Sequence, residues 1–363
     1  MTQHVVLVGA GHANIEVLQR GFASGVEITL VSDRSAALYS GMLPGLVAGI
    51  YLQAELSIDL AALCHSAGAR LRTSPCIAIR TGEHALDLAD GSKIRFDVAA
   101  IDIGSGIAAL DLPGIQERAV PTRPLADLPG RILGLLEDPD TSRRGVAVVG
   151  GGAGGVELAL ALRARLGPDV PVALVERESR LLASRSWVVS RRVARACTQR
   201  GIRVVLGRAV IGGDADGLAL DDGSRVAAHR WLWVTGASGP ALFEHSGLST
   251  DAAGFLRVRK HLESVDSADL FAAGDCISLE HAPQTPRAGV YAVRAGPVLH
   301  HNLAAHLAGK PLRPFRPQRD FLTLLDLGDG TALGTKWGFC VEGRLVSRLK
   351  ARIDRRFVAT YQH

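Results

Sequence analysis

"GVAVVGGGAGGVELAL" (residues 145–160) decides the fold, because "HVVLVGAGHANIEVL" (residues 4–18) writes nearly the same thing a second time. Each stretch opens on a continuous apolar run, the pattern of a strand buried on both faces. Each then passes through closely spaced glycines into a helical pattern. "VEITLV" (26–31) and "VPVALV" (170–175) follow as second strands, closed by Asp33 and Glu176. Gly9, Gly11 and Glu16 each stand 141 residues before Gly150, Gly152 and Glu157. Downstream, "LADGSKIRFDVAAIDIGS" (88–105) parallels "LDDGSRVAAHRWLWVTGAS" (220–238). There the offset is 132 residues, ungapped from Gly91/Gly223 to Gly104/Gly236. One glycine loop alone is weak evidence. Two in register, with matched downstream strands, indicate a duplicated nucleotide-binding domain.

Both loops work by the same physics. The first glycine permits a tight turn, the second lets backbone approach a pyrophosphate, and the third lets helix and strand pack closely. The helix N-terminus then offers N–H groups and partial positive charge to the phosphates. Only the second copy has all three glycines, Gly150, Gly152 and Gly155. In the first, Asn14 replaces the third, which predicts a slightly wider helix–strand gap. Ser32 stands opposite Glu176, and Asp33 comes one residue later. Neighbouring strand residues point oppositely, so Asp33 can serve a ribose only if the turn re-aims it.

The chain has 363 residues, 47% hydrophobic and 21% charged, enough for two sizeable cores plus a small third unit. Its net charge of +5 favours anionic partners. Aromatic residues make up only 5%, without the spacing of a stacking platform, so nucleic acid is not expected. Five scattered cysteines read as reduced thiols in a cytoplasmic protein. With a strand beginning by His4, no signal peptide is expected. No apolar run is long enough to predict a membrane-spanning helix.

"ADLFAAGDC" (268–276), with "VTGAS" (234–238), resembles the pyridine nucleotide-disulfide oxidoreductase superfamily, flavoproteins with two dinucleotide-binding domains. "LVSDRSAALYSGMLPGLVAG" (30–49), "PRAGVYAVRAGPVL" (286–299) and "RPFRPQRDFLTLL" resemble a subgroup similar to type II NADH dehydrogenases. Some members of that subgroup are fused to selenide, water dikinase. The resemblance implies an α/β fold of two Rossmann-like domains, one for FAD and one for NAD(P)H, with a small C-terminal module. The expected division is 1–112 and 263–312 for FAD, 113–262 for NAD(P)H, and 313–363 for an acceptor or membrane-surface module.

It also implies roles. Gly9, Gly11, His12, Ala13 and Asn14 would hold the FAD phosphates, with Ser32 or Asp33 at the ribose and Gly104 at the strand end. Gly274 and Asp275 would hold the ribityl and phosphate region. Tyr39, Gly41 and Met42 would lie by the isoalloxazine, and Arg123 would contact the flavin. Ala288, Gly289 and Val290 would open a helix aimed at the flavin pyrimidine. Gly150, Gly152, Gly155, Glu176 and Gly236 would hold NADH, since Glu176 binds two ribose hydroxyls and repels a 2′-phosphate. Arg177 and Arg180 leave NADPH possible. Glu157 is the candidate catalytic residue, a proton relay near both rings. Its alternative is a structural use shared with Glu16.

A redox cysteine pair is not expected. None lies near Tyr39, Cys197 stands alone, and only Cys276 and Cys340 are candidates to meet in space. No metal site is expected, since His300, His301 and His306 lack ligand spacing. In "GRLVSRLKARIDRRFV" (343–358), Leu345, Val346, Leu349, Ile353 and Phe357 fall on one helical face beside six basic residues. Such a helix could lie on an anionic membrane, cap the flavin domain, or make a homodimer contact. Three functions stay open. The first is NADH oxidation with a quinone acceptor, peripheral on the cytoplasmic membrane face. The second is soluble NAD(P)H-dependent reduction of a selenium, sulfur or small electron-carrier substrate. The third is an NADH-sensing binding module.

Overall fold

Two five-stranded parallel sheets carry the two glycine loops in a computed structural model that describes residues 2–362. The first sheet runs, edge to edge, through Leu270–Ala272, Val98–Ile101, Gln3–Val8, Val26–Ser32 and Arg70–Thr73. The second runs through Ala119–Pro121, Arg230–Trp233, Val146–Val149, Val172–Glu176 and Ile202–Leu206. The loop-bearing strand is central in each, and its side chains are buried on both faces from Val5 to Val8 and from Val146 to Val149. That burial is why these strands read as unbroken apolar runs.

The duplication extends beyond the sheets. Each half adds a three-stranded antiparallel sheet, built from Cys76–Arg80, Ala85–Leu88 and Lys93–Arg95 in one half. Val210–Asp214, Gly217–Leu220 and Arg225–Val226 form it in the other. Gly106 pairs antiparallel with Ser238, its counterpart 132 residues on. The halves therefore meet across equivalent segments, related locally by an approximate two-fold.

The chain threads back to the first sheet through Leu270–Ala272, which pairs with Val98–Ile101. Helix Gly289–Leu307 then packs along helix His12–Arg20, with Gly296 against the Ala13 backbone and Glu16 side chain. A last sheet of Thr323–Asp326, Ala332–Lys336 and Phe339–Gly343 leads into helix Arg344–Ala359.

That last helix turns its faces opposite to the simplest amphipathic expectation. Lys350, Asp354 and Val358 form its buried stripe, and Leu345, Leu349 and Ile353 are exposed. Only Val346 and Phe357 of the predicted apolar face are partly covered. Glu157 and the Tyr39–Met42 turn both lie against this module, so a paired charge fits inward where an aliphatic stripe was expected. Among the described residues no helix is long and apolar enough to cross a membrane.

Candidate active site

Both glycine loops are shaped for close approach. Gly9 has φ +86° and Gly150 φ +116°, the left-handed region that side chains disfavour. A Cβ on Gly9 would strike the Asp102 carbonyl, and one on Gly150 the Val234 carbonyl. Asp102 and Val234 are themselves counterparts, 132 residues apart. A Cβ on Gly155 would enter the Gly150 carbonyl, so the third glycine is needed for helix–strand contact. Helices His12–Arg20 and Ala153–Leu166 both start after an extended glycine, with no acidic residue in the first turn. Their N-termini fit dinucleotide phosphates.

Asn14, in place of the third glycine, does not leave a slack gap. It is fully buried, and its Nδ2 donates to the carbonyls of Val8 (3.0 Å), Gly9 (2.9 Å) and Ala100 (3.2 Å). The amide ties loop, helix and neighbouring strand together.

Between the loops lies a cleft of about 970 Å³. Gly9, Gly11, His12, Ser32, Asp33, Gly104, Arg123, Asp275, Gly289 and Glu157 line it, so ten sequence-derived candidates converge. From the second half Gly154, Leu158, Val234 and Thr235 join them. Ser32 ends its strand buried, its Oγ accepting the Arg34 N–H (3.2 Å), and Asp33 follows in the bend, facing the cleft. Ala13, Asn14, Gly274, Ala288 and Val290 lie outside the lining, each next in sequence to a residue that lines it. Tyr39, Gly41 and Met42 lie outside the lining, with Met42 fully buried. Their neighbours Ser40, Leu43 and Pro44 face the cleft instead. Gly150, Gly152, Gly155, Glu176 and Gly236 stand in the second half beyond the cleft lining.

Charge in the first cradle is unusual. Arg123 donates to Asp275 at 3.2 Å, joining two predicted flavin contacts from distant segments. Beneath them sits Asp102, which the sequence reading passed over. Its Oδ2 accepts the Ala13 N–H (2.8 Å), and Cβ atoms on Gly11 or Gly274 would collide with its carboxylate. Burial pushes its carboxyl up to about 7, aided by the nearby Asp275 charge. The signal was available, since an acid stands where the second copy has Val234. Burial also lowers His12 to about 4, so the ring is neutral at pH 7.

In the second half, Glu176 is held by the N–H groups of Gly151 and, at 2.9 Å, Glu178. This fixes its carboxylate beside the glycine loop. Glu157 points into the junction of both halves and the C-terminal module, its Oε1 accepting the Asp326 N–H (2.9 Å). Burial raises it to about 7, opposed by the Lys350 charge. Lys350, also missed, donates to Gly41 O (2.6 Å) and Asp354 Oδ2 (2.7 Å), and Tyr39 Oη donates to Asp354 Oδ1 (3.1 Å). Glu16, at Glu157's counterpart position, instead pairs with Arg20 and accepts from Tyr361 Oη. The shared position therefore carries two different contacts.

Cys276 and Cys340 do not meet. Cys276 is buried with its Sγ on Ala273 O (3.1 Å), and Cys340 lies on the Phe339–Gly343 strand, its carbonyl held by Arg192. All five cysteines are free thiols. His300 and His306 are engaged separately, by Gly21 O and Asp269.

Residues 3–296 match the family described as pyridine nucleotide-disulphide oxidoreductase. The chain belongs to that family. As a pyridine nucleotide-disulphide oxidoreductase it is an FAD-dependent NAD(P)H oxidoreductase, consistent with a first glycine loop that lines the cleft and a second that reaches it through Gly154. It is 27% identical over 320 residues to demethylphylloquinone reductase NdbB of Synechocystis sp., covering 85% of this chain and 78% of that one. The fold is shared with sulfide:quinone oxidoreductase of Aquifex aeolicus (TM-score 0.84, 19% identity, 99% of this chain and 91% of that chain). It is also shared with NDH2 of Plasmodium falciparum in complex with NADH (TM-score 0.84, 14% identity, 99% and 97% covered).

Proposed function

We propose that this enzyme oxidises NADH and passes the electrons to a quinone-class acceptor at the cytoplasmic face of a membrane, without a redox-active cysteine pair. The observation that carries this reading is Glu157. It stands at the cleft wall between the two cradles, with its carboxyl raised to about 7 and a lysine nearby. A quinone needs protons as well as electrons, and a carboxyl titrating near neutrality can hold and deliver one. A relative named as a demethylphylloquinone reductase supports the acceptor class.

Bound flavin would supply a two-electron sink that releases electrons singly or in pairs. The first glycine loop would bind its phosphates, and Asp275 with Arg123 would orient its ribityl side. The N-terminus of helix Gly289–Leu307, where a Cβ on Gly289 would come within 3.5 Å of the His12 ring, faces the same cleft and favours negative charge there. Glu176, held by two backbone N–H groups, favours NADH over NADPH. Dispersed, mostly buried cysteines support the absence of thiol chemistry. The exposed Leu345, Leu349 and Ile353, flanked by Arg344, Arg348 and Arg352, support peripheral membrane attachment.

Stopped-flow reoxidation of NADH-reduced protein tests the acceptor. Menaquinone or ubiquinone analogues should reoxidise it within turnover time. Reoxidation by soluble carriers alone, with quinones inert, would defeat the proposal.

A further inference from the structure

The C-terminal module is not the sole exposed apolar surface. Helix Trp187–Gln199, in the second half of the duplication, buries Val189, Ser190, Val193, Ala196 and Cys197. Its opposite stripe exposes Trp187 (62%), Val188, Arg191, Arg192 and Arg195. An exposed tryptophan followed by three arginines, with no acid anywhere in the helix, needs an explanation.

This stripe adjoins the C-terminal hairpin. Arg192 donates to Cys340 O at 3.2 Å. Asp320 accepts the Trp337 N–H (2.6 Å) and lies 3.8 Å from Arg185, two residues before Trp187. The hairpin exposes Trp337 (72%), Phe339 (77%) and Val341, and helix Arg344–Ala359 continues with Leu345, Leu349 and Ile353. Its one acid, Asp354, is buried against Lys350. Exposed apolar side chains and arginines therefore run across two modules, with Glu342 the exposed acid on the hairpin strand.

We propose that helix Trp187–Gln199 lies on an anionic lipid bilayer together with the C-terminal module. The proposal rests on the membrane reading above and extends it to the nicotinamide-binding half. Charge selects the occupant. A second copy would set this basic face against an equal basic face, which repels, whereas anionic headgroups attract arginines and the acyl boundary accepts Trp, Phe and Leu. Two-point contact would fix how the cleft is presented to the membrane.

The four tryptophans make this measurable, because Trp231 and Trp233 are buried. In FAD-loaded W337F protein, Trp187 is the one exposed tryptophan. Vesicles of brominated phosphatidylglycerol should quench its emission to a degree comparable with Trp337 in W187F protein. R191Q and R195Q should each weaken vesicle partition about fivefold, R191E and R195E more, and all should leave NADH oxidation by a soluble dye unchanged. If the protein co-floats and W187F is quenched but W337F is not, the helix stays in water and the proposal falls while the membrane reading survives. If full-length protein never co-floats, both fall. Self-association abolished by R191E would assign the face to a second copy and overturn the lipid assignment.

Discussion

Lys350 and Asp354 stand one turn apart on the C-terminal helix and both face inward, Nζ to Oδ2 at 2.7 Å, beneath a surface where Leu349 and Ile353 face solvent. This pair and Gly41 O fasten the C-terminal module to the turn beside the cleft.

Breaking that pair should be costly. Lys350→Met leaves Asp354 charged and buried, near Glu157, and should destabilise the fold by about 3 kcal/mol or more. The double variant K350M/D354L, which removes both charges, should recover much of that loss. Urea denaturation of the three proteins decides it. A double variant less stable than K350M would refute the assignment.

Glu157 predicts a pH profile. Its folded value, about 7, lies above its ordinary 4.5. The protonated acid is therefore populated below about 7 and lost above it, and quinone-dependent turnover should fall as pH rises through that value. E157Q should flatten the inflection and slow quinone reduction about a hundredfold. Stability follows the same sign. The contribution of the protonated group is complete below 4.5 and disappears as pH rises through about 7.

Asp102 predicts proton-linked FAD binding. Its carboxyl accepts the Ala13 N–H at the helix N-terminus expected to face the phosphates, so binding of the dianionic pyrophosphate should proceed with Asp102 protonated. FAD affinity should then weaken above about pH 7, approaching tenfold per pH unit. D102N retains the shape and the bond from Ala13, and its affinity should be nearly independent of pH. Fluorescence titration of apoprotein with FAD measures this. An unchanged slope in D102N would rule it out.

Glu176 predicts coenzyme choice. E176A should weaken NADH binding about tenfold, the loss of hydrogen bonds to a charged group. NADPH binding should be unaffected or improved. Dissociation constants for both coenzymes give the ratio, and an unchanged ratio would place discrimination elsewhere.

Repetition made much of this molecule legible. A glycine at positive φ, an apolar run in a doubly covered strand and an acid at a strand end are demands met by adjacent residues. Each therefore appears as local pattern, and the 141- and 132-residue offsets displayed it twice. That determined two parallel sheets, two loops and the positions of Gly9, Gly150 and Glu176, while Asp275 followed from the family resemblance of its stretch. Asp102 was legible only as a difference from Val234. Tertiary structure alone decided that Asn14 clamps three carbonyls, that Arg123 meets Asp275, and that helix Arg344–Ala359 hides its lysine and shows its leucines. The reason is distance along the chain. Lys350 finds Gly41 across 309 residues. Helical periodicity reports which side chains share a face, but what stands opposite that face belongs to the fold.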